Sequence, residues 1–114
     1  MQVLYTPQNN DRHKFEYEIA NERITATLYE YPITLTEDPE GVLIIETGTR
    51  IKKGTDTFDF SGLPDGEAEV TETELPFDPI VSAERREGEL RIQLINFITA
   101  EADEAERYPE WEEI

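Results

Sequence analysis

The sequence predicts an all-β fold: a single-domain antiparallel sandwich of immunoglobulin-like type, or a small barrel, with about seven to eight strands. Three observations predict it. Stretches of period-two apolar and polar alternation recur along the chain. Clusters of Gly, Pro, Asn and Asp separate them. Helical composition is confined to one short segment near the C-terminus. With 114 residues the chain is one ordinary domain. It is long enough to bury about two-thirds of its unfolded surface.

The elements follow in order. Phe15-Glu16-Tyr17-Glu18-Ile19 and Ile24-Thr25-Ala26-Thr27-Leu28-Tyr29 alternate as half-buried strands do. The short polar link Ala20-Asn21-Glu22-Arg23 joins them as a hairpin, with an Asn that tolerates positive φ. Tyr31-Pro32 ends or bends the second strand, because Pro cannot donate to a ladder. Residues 36–41 are a turn by composition. The apolar run Val42-Leu43-Ile44-Ile45 then predicts a strand buried on both faces or crossing the core. Gly48 and Gly54 flank a short polar strand or loop, Thr49 to Lys53. Thr55 to Phe60 alternates again, with Phe58 and Phe60 on one face. Residues 61–66 form a turn-rich corner, and Glu67 to Val70 is a candidate short strand.

The acidic stretch 67–78 reads as a connector whose Leu75 and Phe77 reach the core. The last hairpin is the clearest element. Ile80 to Arg85 leads into a turn supplied by Gly88, and Leu90 to Ile95 leads out, continuing through Ile98. Leu90, Ile92 and Leu94 share one face. Thr99 then offers an N-cap for a short helix over 100–106, or the segment is an extended acidic tail. The organisation expected is therefore a β-domain over 1–100 and an acidic aromatic tail over 101–114.

Charge is concentrated. The formal net charge is −17. Residues 65–78 hold six acids and no base, and residues 101–114 hold seven acids and one base. Such a field repels phosphate backbones and anionic lipid, and attracts cationic partners. Direct nucleic-acid binding and membrane binding are accordingly not expected. The N-terminus lacks the basic and apolar regions of a signal peptide, which predicts a cytoplasmic protein or one assembled into a virion there.

Chemistry has little material. The chain has no Cys, which excludes disulfides and thiolate metal sites. Its one His, His13, lies between Arg12 and Lys14, a setting that disfavours a bound cation. Asp56, Asp59 and Asp65 do not have calcium-loop spacing. Ser61 and Ser82 are not in a nucleophile-elbow context, and no Gly-rich phosphate cradle occurs. No enzyme activity, catalytic residue, cofactor or metal is expected. Arg50, Lys52 and Lys53 read as a solvated strand face, and Arg85-Arg86 as a solvated turn.

Interaction is what remains. Tyr108, Glu110, Trp111 and Glu112 combine an aromatic pair with carboxylates, as interface anchors in a polar rim do. They are the predicted partner-binding residues, for a protein partner or for self-association. Packing of this tail on its own domain is the competing expectation.

Two resemblances add to this reading. Residues 74–84, ELPFDPIVSAE, then 89–98, ELRIQLINFI, then Tyr108-Pro109-Glu110-Trp111 resemble the C-terminal half of small proteins encoded among tail genes of phages and prophages of Gram-positive bacteria. No catalytic motif travels with that resemblance, and no residue role is carried over. It implies a structural or assembly role. Residues 58–66, FDFSGLPDG, are similar to a strand-ending corner of many immunoglobulin-like domains. The expected function is a non-enzymatic interaction module, in the form of a small phage structural or assembly protein. The alternative is an acidic mimic of nucleic acid that inhibits a DNA-binding protein, motivated by the clustered negative charge.

Overall fold

In the computed structural model, which describes residues 1–68 and 72–114, strands carry nearly all the regular structure. They are β1 (Gln2–Asn9), β2 (His13–Ala20), β3 (Arg23–Glu30), β4 (Ile33–Glu37), β5 (Leu43–Thr47), β6 (Ile51–Asp59), β7 (Gly66–Glu67), β8 (Ile80–Arg86) and β9 (Glu89–Ile98). A one-turn helix α1 (Glu104–Arg107) and a last strand β10 (Glu112–Glu113) follow. A five-stranded sheet has the order β10-β1-β9-β8-β7, and a three-stranded sheet the order β2-β3-β6. β4 and β5 pair only with each other. The fold is all-β, as the alternation predicts.

Both expected hairpins form. Asn21, with φ 56°, turns β2 into β3, and Glu87-Gly88, with φ 51° and 81°, turns β8 into β9. Two successive left-handed residues match the twist of the flanking strands. Alternate residues enter the core: Ile24, Ala26 and Leu28 from one sheet, Leu90, Ile92 and Leu94 from the other. These residues join Val3, Phe15, Phe58, Phe60 and Phe97 in one cluster shared by both sheets. Phe15 stacks on Phe97 at 5.4 Å, and Phe77 meets Phe97 edge-on at 5.3 Å. The Tyr17 hydroxyl donates to the Ile95 carbonyl across the two sheets at 2.5 Å. Leu75 and Phe77 pack against the cluster, as expected of the 67–78 connector.

The structure corrects several expectations. The larger sheet is mixed: β1 runs parallel to β9 from Gln2 opposite Arg91 to Asn9 opposite Ile98. β1 has no alternation and contains Pro7, so it carries no strand signature. β10 covers it only at Gln2 and Val3, so Pro7 occupies an edge where its missing N–H is tolerated. The described residues hold ten strands, more than the seven or eight expected: β1, β4 and the two-residue β10 are additional, and the stretches 49–53 and 55–60 merge into β6. Residues 51–59 are one strand passing through Gly54. A Cβ at Gly54 would stand 2.9 Å from Leu75, so the glycine admits the connector's side chain and does not end the strand. The candidate strand over 67–70 is seen as β7 at Glu67, and its last two residues lie outside the described ones.

The helix begins later than expected. Asp103, not Thr99, is the N-cap, its carboxylate accepting from the Glu106 amide at 2.9 Å. Thr99 instead closes a turn onto Ala102. The largest correction concerns Val42 to Ile45. That run is not in the core: β5 is exposed along its whole length.

Candidate functional site

Residues 101–114 return to the body. α1 is followed by β10, which adds to the edge of β1 with Glu113 opposite Gln2 and Glu112 opposite Val3. The Ile114 amide donates to the Met1 carbonyl at 2.9 Å, and the Met1 ammonium lies 3.3 Å from the Glu113 carboxylate. Trp111 lies over the Arg91 guanidinium at 4.4 Å from the ring centre. The Arg91 Nε beneath it is buried without a hydrogen-bond partner. Trp111 and Glu112 thus hold the tail in place. Tyr108 is 76% exposed, and Glu110 is exposed beside it. Between tail and sheet lies a shallow open cavity of about 510 Å³, lined among others by Tyr5, Asn96, Tyr108 and Trp111. Burial, and then the nearby Glu112 carboxylate, push the Tyr5 phenol up from its ordinary value.

The feature that sequence reasoning missed is the β4–β5 ribbon. β3 and β6 pair side by side as far as Glu30 opposite Ile51, and the chain continues outward as a second antiparallel pair. The molecule measures 64 × 30 × 21 Å, with a radius of gyration of 17.3 Å. A compact chain of this length would have a radius of about 13 Å. The register places Leu35 opposite Ile45, Ile33 opposite Thr47 and Glu37 opposite Leu43. Paired residues share a face, so Ile33, Leu35, Leu43 and Ile45 lie on one largely apolar side, with Glu37 near the tip and Thr47 at the root. Thr34, Thr36, Ile44 and Glu46 form the other. Leu35 and Ile45 are 60% and 65% exposed. Free two-stranded ribbons are marginal in water, and uncovered apolar strands mark places where something docks.

The ends of this arm are fixed. At the tip, the Asp38 carboxylate accepts from the Glu40 and Val42 amides at 2.9 and 2.8 Å. Gly41 completes the turn at φ 80°. At the root, the Gly48 amide donates to the Pro32 carbonyl at 2.8 Å. The root also gathers cations. Lys14, Tyr29 and Lys52 lie in register across β2, β3 and β6. The Arg50 guanidinium stacks on Tyr29 at 4.1 Å and pairs with Glu16. Lys53 pairs with Glu30 at 3.2 Å and holds that carboxyl below its ordinary range. Among the described residues, no carboxylate lies within ion-pairing distance of Lys14 or Lys52.

Arg85 is not the solvated turn residue expected. It donates to both Glu22 oxygens at 2.9 and 3.0 Å and to the carbonyls of Phe60, Leu63 and Gly88. Those bonds hold the Glu22 carboxyl below its ordinary range. His13 is likewise structural, edge-on to Phe77 at 4.9 Å with its Nδ1 3.3 Å from the Asn10 side-chain oxygen.

Among the described residues, no three His, Asp or Glu side chains converge as a metal site would require. No described helix is long and apolar enough to cross a membrane. No protein-family model, curated protein or solved structure matches the chain.

Proposed function

We propose that this chain is a non-enzymatic interaction module, a two-sheet sandwich whose β4–β5 arm associates with another protein chain. The observation that carries this reading is the uncovered face of Ile33, Leu35, Leu43 and Ile45, held out by a fixed tip and root. A projecting apolar ribbon costs solubility when it stands alone and stabilises an assembly when it is covered. The class of assembly implied by the C-terminal resemblance is a phage or prophage tail, where a small structural protein must join its neighbours in register. Tyr108 and Glu110 offer a second contact at the far edge of the larger sheet, with Trp111 and Glu112 fixing the segment that presents them.

The experiment replaces residues 33–47 by a two-residue Asn-Gly turn. The shortened chain is expected to keep its circular dichroism and melt while losing association with other chains. An unfolded product would mean that the arm is part of the folding unit, and the reading fails. An acidic mimic of nucleic acid would instead act through its carboxylates. Its binding to a basic partner would weaken steeply with salt and survive loss of the arm.

A further inference from the structure

Resting on the reading of the arm as an association device, we propose that its occupant is the arm of a second copy of this chain. The two ribbons stack apolar face to apolar face, antiparallel about a two-fold axis, with each acidic tip on the partner's basic root. Charge sets that orientation. The arm has no base between residues 33 and 47; Glu37, Asp38 and Glu40 stand at its tip, while Glu46, opposite Thr34, lies toward the root on the other face. Its root presents Lys14 and Lys52 with no ion-pair partner among the described residues, and Arg50 on Tyr29 beside them. A parallel stack would set the tip carboxylates on one another; the antiparallel one sets them toward the partner's root lysines.

Size agrees. The four aliphatic side chains leave roughly 400 Å² of apolar surface on each arm, and two arms with their polar rims reach roughly 1,000 Å², the lower bound of a specific interface. The antiparallel stack also puts the bodies at opposite ends of the pair. Each chain carries −17. An arm of five paired residues spans about 17 Å, longer than the screening length of about 8 Å at physiological salt. A two-fold contact uses the same patch twice and closes at the dimer.

The chain has no Cys, so introduced thiols report without background. Sedimentation equilibrium is expected to show a monomer–dimer equilibrium for the natural chain. Leu35→Asp and Ile45→Asp, both at exposed positions, should leave the melt in place and give monomers. Lys52→Glu should weaken dimerisation at least about tenfold, and adding Glu40→Lys should restore it. Under oxidation, Glu40→Cys mixed with Lys52→Cys should cross-link, and Glu40→Cys alone should not. Tip-to-tip cross-linking, or a natural chain monomeric at every concentration, overturns the proposal. If that monomer still loses a purified protein partner when 33–47 are removed, the arm remains an association device and only the second-copy assignment falls.

Discussion

Arg85 joins three stretches of chain that are far apart in sequence: the β2–β3 turn at Glu22, the corner at Phe60 to Leu63, and its own hairpin turn at Gly88. A guanidinium has five donors in a rigid fork, and this site uses that geometry. Arg85→Lys keeps the charge and loses the fork, so its Tm is expected to fall by at least about 5 °C. Arg86→Ala, one residue on and exposed, should melt within about 2 °C of the natural chain. The same pair sets a pH dependence. Glu22 is held low by Arg85, Glu30 by Lys53 and Asp59 by the Ser61 amide. A depressed folded value gives stabilisation that is present above the ordinary carboxylate range, about pH 4 to 4.5, and lost as pH falls through the folded value. The Tm advantage of the natural chain over Glu22→Gln should therefore be full at pH 7 and shrink below about pH 4.5. Nothing in the sequence around Arg85 marks it, because its partners are carbonyls and a glutamate that only the fold brings near.

The elements divide by what lies over them. Ile92 is fully buried between two sheets, so Ile92→Ala should cost about 2–5 kcal/mol in denaturant unfolding. Leu35 has nothing above it, and Leu35→Ser should change stability by no more than about 0.5 kcal/mol measured on the monomer. Alternation made β2, β3, β8 and β9 readable, since each buries one face and wets the other. Val42 to Ile45 misled for the opposite reason. A run of aliphatic residues looks the same whether a second layer covers it or leaves it open, and local sequence does not contain that layer. The tail was legible as a docking segment through its aromatics. The choice of surface is decided by Arg91, which presents its cation to Trp111 from β9, one strand beyond β1. Trp111 is the only Trp, so Arg91→Ala should shift the emission spectrum to the red and loosen β10 in hydrogen exchange, with the core amides unchanged.

For the whole molecule, shape and charge agree. A 64 Å long axis in a chain of this size means that part of the structure stands outside the core, and that part is the arm. Glu112 and Glu113 of the tail lie on the β1 edge of the larger sheet, and Glu37, Asp38 and Glu40 stand at the tip of the arm, so negative charge is placed at two separate sites on the molecule. The parallel β1–β9 pair brings the chain's first and last long strands together, and the arm leaves from the middle of the chain. The body therefore closes on itself without the arm. Sedimentation equilibrium of the full chain beside the chain lacking 33–47 measures that separation. Concentration-dependent association is expected for the full chain and a folded monomer for the shortened one. Equal association of both chains, or a shortened chain that no longer folds, would contradict it.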